Sequence, residues 1–92
     1  MKYRSRTEII ATILESIRTG STKTKIMYKA YLSYSQMKEY LQFLQENNLM
    51  EYESGSQIYR ITDKGIQFLV AYGEISSLVS QSDPLEQKSF VI

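Results

Sequence analysis

The chain has 92 residues, which is enough for one domain with a single hydrophobic core and too short for two. It contains no cysteine and no histidine, so disulfides, thiolate nucleophiles, Cys/His zinc sites and the most common general base are excluded. The net charge is +1, and the 42% hydrophobic and 23% charged content is typical of a folded globular chain.

The first predicted helix runs from Arg6 to about Thr19. Ser5 and Glu8 have the spacing of a capping box, in which each side chain accepts a hydrogen bond from the backbone of the other residue. The apolar residues that follow recur at the spacing of one helix face: Ile9, Ile10, Ile13, Leu14 and Ile17. Gly20 is expected to end the helix, because glycine readily adopts the left-handed conformation found there.

A second, shorter helix is predicted within TKIMYKAYL, residues 24–32. Ser33 and Gln36 form another capping-box pattern, which predicts a third helix over residues 33–47. The core face of this third helix carries Met37, Leu41 and Leu44. Asn47 and Asn48 close it, since asparagine tolerates the left-handed conformation at helix ends.

The hydrophobic period changes after the asparagines. Two short β-compatible runs flank the sequence SGS, which predicts a hairpin with Gly55 in its turn. Thr62 is predicted to cap a last helix over residues 63–79, with Asp63 favourably placed in the first turn. The remaining residues contain a proline and have no clear period, so we expect an irregular tail.

The order helix, helix, helix, hairpin, helix predicts an α+β fold that is mostly α. It is the arrangement of a winged helix-turn-helix: three helices, a β-hairpin wing and a C-terminal helix. We expect one such domain over residues 1–80, followed by the tail over residues 81–92. In this fold the third helix enters the major groove of DNA.

Three blocks of the sequence resemble a known family in the expected order. They are EIIATILESIR with GSTKTKIMYKAYLSYSQMKEYL, then NNLMEY, then YRITDKGIQFL. Over roughly residues 4–70 they resemble the archaeal winged helix-turn-helix family that includes the small chromatin-associated 10a-type DNA-binding proteins. The resemblance implies loosely specific or sequence-independent DNA binding, or transcriptional regulation, usually by a homodimer.

The 10a-type members pair through a long C-terminal helix that forms an antiparallel coiled coil. Here that helix has room for only about two heptads, so this sequence departs from the family pattern, and we expect a homodimer through a shorter C-terminal helix. A candidate stripe at helical spacing consists of Phe68, Tyr72, Ile75 and Val79. Packing against the chain's own core is the competing interpretation, and both can hold for opposite sides of the helix.

The charges are unevenly distributed along the chain. Residues 1–38 carry eight basic and two acidic side chains, a net of +6, whereas residues 39–92 carry three basic and eight acidic ones, a net of −5. This asymmetry indicates one face for an anionic partner. The predicted phosphate contacts are Arg4, Arg6, Lys23, Lys25, Lys29 and Arg60.

DNA-reading helices contact base edges mainly from their N-terminal turns. On the third helix this selects the residues outside the core face: Tyr34, Ser35, Gln36, Lys38, Glu39 and Gln42. Glutamine can form a bidentate contact with adenine, and lysine can contact guanine or a phosphate. The alternative for each residue is a solvated helix face.

The hairpin and the tyrosines leave alternatives open. The predicted hairpin carries Glu51 and Glu53 in its first run and Arg60 in its second. The wing is therefore expected near the DNA backbone or turned to a protein partner. Eight tyrosines would suit stacking on single-stranded nucleic acid, but their scatter favours packing in the core and at its rim. A winged-helix protein-interaction module without DNA binding is therefore the second functional hypothesis.

No sequence feature indicates catalysis. No apolar run approaches the ~20 residues of a membrane-spanning helix, and the basic N-terminal segment lacks the apolar core of a secretory signal. We expect a cytoplasmic, nucleoid-associated protein that binds double-stranded DNA, with no enzymatic activity, no cofactor, no metal and no membrane partner.

Overall fold

Four helices and one two-stranded hairpin make up residues 4–79, which are the residues that the computed structural model describes. The elements in chain order are α1 (Arg6–Ser16), α2 (Lys23–Ala30), α3 (Tyr34–Glu46), β1 (Met50–Glu53), β2 (Ile58–Ile61) and α4 (Asp63–Val79). The predicted order of elements and the winged helix-turn-helix architecture are confirmed. The predicted tail over residues 81–92 lies outside the described residues.

The helices begin where short polar side chains can satisfy free backbone amides. Ser5 and Glu8 form a complete capping box at α1, and Ser33 and Gln36 form one at α3, with bonds of 3.0 to 3.2 Å. At α4 the Thr62 hydroxyl accepts from the Gly65 amide at 3.0 Å. These three predicted starts are confirmed.

The predicted end of α1 is wrong by three residues, because the helix stops at Ser16. The carbonyl of Ile17 accepts from the amides of Gly20 (3.0 Å) and Ile61 (3.3 Å), which draws the chain out of the helix. Gly20 then adopts a φ of +93°, and Ser21 exchanges two backbone hydrogen bonds with Tyr59. This bridge attaches the segment between α1 and α2 to the edge of the hairpin.

The second helix begins and ends earlier than predicted. It starts at Lys23 behind an N-cap at Thr22, whose hydroxyl accepts from the Lys25 amide at 3.3 Å. It ends at Ala30, because Tyr31 adopts the left-handed conformation with a φ of 55°. Three residues, 31–33, therefore separate α2 from α3, which is the short turn of a helix-turn-helix.

The hairpin pairs its strands antiparallel, with Met50 opposite Ile61 and Tyr52 opposite Tyr59. Paired residues lie on the same face, so the two tyrosines are neighbours on one face of the hairpin. Gln57, rather than Gly55, carries the positive φ (58°) in the turn.

The core lies where the first three helices, the start of the hairpin and α4 meet. Its fully buried side chains are Ile13, Leu14, Ile17, Ile26, Met37 and Leu44. The α4 helix packs on α1 and on β2, while the hairpin packs on α3 through β1. Among the helices of residues 4–79, none combines the length and the apolar character that crossing a lipid bilayer requires.

Candidate nucleic-acid interface

The N-terminal half of α3 separates its side chains cleanly between core and solvent. Met37 and Leu41 are buried, as predicted. The six residues predicted to read bases are all exposed: Tyr34, Ser35, Gln36, Lys38, Glu39 and Gln42. Both capping-box residues fix the first turn of this helix, so these side chains start from a well-defined backbone.

Tyr34 brings two lysines from different helices together. The Lys23 ammonium lies 5.9 Å from the centroid of the Tyr34 ring, and the Lys38 ammonium lies 5.5 Å from it. Cations at this range are attracted by the negative face of an aromatic ring. A residue predicted to contact phosphate and two residues predicted to read bases therefore share one location, at the start of α3.

The hairpin supplies the other side of this location. Tyr59 lines a groove of about 400 Å³ together with Lys23, Tyr34 and Lys38. The rest of its lining comes from α3: Met37, Leu41, Gln42, Gln45 and Glu46. Tyr52 and Tyr59 are in contact, with ring centroids 4.7 Å apart. We call the set Lys23, Tyr34, Lys38, Tyr52 and Tyr59 the tyrosine–lysine groove.

The phenol of Tyr59 is kept in its neutral form. Burial raises the pKa of Tyr59 above its ordinary value, and the neighbouring Tyr52 and Tyr34 add to the rise. A neutral phenol can donate a hydrogen bond to an anion and presents an apolar ring beside it. This combination suits a surface that receives sugar and phosphate.

Gln36 has a structural task that overlaps with its predicted one. Its side-chain carbonyl accepts from the Ser33 amide at 3.0 Å, which closes the capping box of α3. A bidentate contact with adenine would use the same oxygen. Gln36 can therefore read a base in that way only by sharing or giving up its cap.

The other predicted base-reading residues differ in the hydrogen bonds that their side chains form. The Gln42 amide donates to Glu46 one turn along α3, at 2.9 Å. The hydroxyls of Ser35 and Ser33 are 3.5 Å apart. Glu39 is exposed on the outer face of α3.

Three of the predicted phosphate contacts lie on α2: Lys23, Lys25 and Lys29. Lys23 enters the tyrosine–lysine groove, whereas Lys29 lies on the α1 side of α2 beside Glu15 and Tyr31. Lys25 is exposed on α2. Lys23 is therefore placed next to the first turn of α3.

The predicted arginines lie apart from the groove or are already paired. Arg4 donates to the Tyr31 carbonyl at 3.4 Å, and the Arg6 guanidinium lies 5.7 Å from the centroid of the Tyr40 ring. Arg60 forms an ion pair with Glu53 across the hairpin, at 3.2 Å. The Ser56 hydroxyl and Arg60 hold the pKa of Glu53 below its ordinary value.

The predicted dimer stripe on α4 runs from the core into solvent. Phe68 and Tyr72 are half-buried against the core, with near-parallel rings 6.5 Å apart. Ile75 is 60% exposed, and Leu78, which lies outside the predicted stripe, is 84% exposed. The side chain of Val79 lies outside the described residues.

Tyr52 and Tyr59 were not among the predicted site residues, because their pattern along the strands equally fits packing. The signal that would have found them is the register of the hairpin. When β1 and β2 are aligned, Tyr52 pairs directly with Tyr59, so both side chains lie on the same face of the hairpin. Tyr59, which shares a groove with α3, is also bridged to Ser21, and this bridge has no local sequence signal.

The comparisons with known proteins agree with this architecture. A family described as winged helix-turn-helix matches residues 3–80. Among solved structures, Sso10a-2, a DNA-binding protein from Sulfolobus solfataricus, is similar with a TM-score of 0.79 and 23% identity, over 94% of this chain and 93% of that chain. At this identity the likeness shows the fold. No curated protein matches the chain significantly by sequence.

Proposed function

Because the chain belongs to the winged helix-turn-helix family, we propose that it is a non-enzymatic protein that binds double-stranded DNA with α3 in the major groove. We propose further that it acts in the cytoplasm, at the nucleoid, as a transcriptional regulator or a small chromatin-type protein. The structural likeness to a DNA-binding protein supports the binding role.

One observation carries the proposal: Lys23 and Lys38 converge on Tyr34 at the first turn of α3. Phosphate contacts fix the register and orientation of a DNA-reading helix on the duplex. Lys23 supplies a cation for such a contact from the N-terminus of α2, where free backbone amides also favour an anion. Lys38 supplies the second from α3 itself.

Homodimerisation through α4 belongs to the same proposal. The last turns of α4 pass beyond the core, and residues 73–78 are all exposed. Ile75 continues the stripe of Phe68 and Tyr72 into this exposed part, where a second copy would cover it. Replacing Ile75 by Ser should shift sedimentation of a dimer towards the monomer, and an unchanged dimer would place the interface elsewhere.

The binding proposal is tested by fluorescence anisotropy with a labelled duplex over a range of salt concentrations. Each phosphate that the protein neutralises contributes about 0.9 to the slope of log K against log[salt]. Lys23→Ala and Lys38→Ala should each reduce the magnitude of this slope by about one. Lys64→Ala is the matched control, since Lys64 lies at the start of α4 and donates to the Asn47 carbonyl.

Different outcomes distinguish a failure of the proposed function from a failure of one assigned phosphate contact. A wild-type protein that fails to bind duplex DNA at low salt would overturn the function itself. Lys29→Ala tests another predicted phosphate contact, because the position of Lys29 beside α1 predicts a smaller slope change than for Lys23. Equal changes for Lys23 and Lys29 would show that both lysines contact phosphate to the same extent.

A protein-interaction module is the second candidate, and the hairpin favours it. Arg60 is the hairpin's single cation and is paired with Glu53, while Glu51 is exposed beside it. A hairpin with this charge gains little from lying in a minor groove. Loss of DNA binding with an intact fold would leave this candidate standing.

A further inference from the structure

We propose that the tyrosine–lysine groove receives the sugar–phosphate backbone of one DNA strand, and that Tyr34 is a positioning residue rather than a base reader. In this role Tyr34 gathers Lys23 and Lys38 so that both ammonium groups meet the same stretch of backbone. The inference rests on the proposed function, because it assigns a part of that interface to one strand of the duplex.

The direction of Tyr34 supports a backbone contact. Successive residues of a helix are rotated by about 100°, so Tyr34 lies about 60° from the buried Met37. Ser35 and Glu39 lie about 160° from Met37 and point outward, towards where base edges would be. Tyr34 instead lines the same groove as Tyr59 of the hairpin.

The Tyr34 ring offsets part of the cost of holding the two lysines close together. Two ammonium groups repel each other, and a lysine side chain loses rotamer freedom when it is fixed. Within residues 4–79, neither Lys23 nor Lys38 forms an ion pair with a carboxylate. Their common neighbour is the Tyr34 ring, at 5.9 and 5.5 Å, and a phosphate between them would relieve the remaining repulsion.

The hairpin tyrosines complete the groove for a sugar–phosphate strand. A second depression adjoins the first, and Thr22, Thr24 and Gln57 line it beside Lys23, Tyr52 and Tyr59. Hydroxyls and an amide can donate to phosphate oxygens, and the tyrosine rings offer a flat apolar surface to a deoxyribose. Among residues 4–79, no carboxylate lines this second depression, whereas Glu46 lines the first.

The test compares two duplexes of equal length, one rich in A·T and one rich in G·C, by anisotropy over a salt range. Tyr34→Leu removes the ring and should weaken binding to both duplexes by the same factor, about tenfold. It should also reduce the magnitude of the salt slope by up to about one. Tyr34→Phe keeps the ring that gathers the two lysines, so its affinity and its salt slope should both stay close to those of the wild type. Tyr28→Leu, at an exposed tyrosine of α2 outside the groove, is the control.

A double-variant cycle tests the positioning role directly. If Tyr34 acts through Lys23, then Lys23→Ala combined with Tyr34→Leu should lower the slope by less than the sum of the two single effects. Additive effects would overturn the positioning role. A loss confined to one duplex would show that Tyr34 reads a base, and unchanged binding by a folded Tyr34→Leu protein would overturn the assignment while leaving the proposed function intact.

Discussion

Gly65 in the first turn of α4 lies directly against the carbonyl oxygen of Leu49, the residue before the hairpin. A β-carbon at position 65 would overlap that oxygen and stand 2.6 Å from a side-chain carbon of Ile61. The same carbonyl accepts from the Thr62 amide at 3.2 Å, so its position is fixed. The last helix and the base of the hairpin are therefore in contact through their backbones, with no room for a side chain.

Gly65→Ala is expected to destabilise the protein by about 1 to 3 kcal/mol, because the atom that must move is backbone rather than a flexible side chain. Gly73→Ala is the matched control in the same helix. A β-carbon there meets nothing within 4 Å, so the better helix propensity of alanine should stabilise by up to about 1 kcal/mol. Urea denaturation measures both, and effects of the same sign would contradict the contact.

The capping box of α3 makes a separate prediction about stability. Ser33→Ala should cost about 1 kcal/mol, since the Gln36 amide would lose its acceptor. Gln36→Glu should preserve the stability, because glutamate at this position closes the same box and its charge suits a helix N-terminus. Gln36→Ala should be the less stable of the two Gln36 variants in thermal denaturation. The reverse order would show that the cap contributes little.

The local signals of the sequence predicted the helix starts well because capping is a matter of three or four neighbouring residues. Ser5, Ser33 and Thr62 all cap as their spacing indicates. The end of α1 was not predictable in this way. It depends on the amide of Ile61, more than 40 positions along the chain, which takes the Ile17 carbonyl.

The candidate site was predictable only in part for the same reason. Helical periodicity separated Met37 from Lys38 correctly, but it could not show that Lys23 and Tyr59 meet at the start of α3. Gln36 shows a different limit, since the capping-box pattern and the adenine-reading chemistry both depend on one amide oxygen. In the folded structure this oxygen accepts the capping hydrogen bond from the Ser33 amide.

The raised pKa of Tyr59 predicts a loss of stability in alkali. The neutral phenol is favoured in the folded protein, so its contribution is fully present below the ordinary tyrosine value, near pH 10. It is lost as the pH rises through the higher folded value. Tyr59→Phe should therefore make the free energy of unfolding fall less steeply above pH 10, as measured by urea denaturation at several alkaline pH values. Equal slopes for the two proteins would contradict the burial of this phenol as the cause.

The ion pair between Glu53 and Arg60 predicts how the hairpin responds to the loss of one charge. Glu53→Gln removes a carboxylate from the hairpin and frees the Arg60 guanidinium. If the hairpin lies near the DNA backbone, the affinity for duplex DNA should rise severalfold and the salt slope should increase by up to about 0.9, one additional phosphate contact.

The control for that variant is Glu74→Gln, which removes the same charge from an exposed position in α4. It separates the local effect from the general gain that any added positive charge gives. Adding Arg60→Ala to Glu53→Gln should cancel the increase in slope, since no freed guanidinium then remains. If Glu53→Gln and Glu74→Gln change the affinity equally, the hairpin does not approach the backbone, and its acidic face is available to a protein partner.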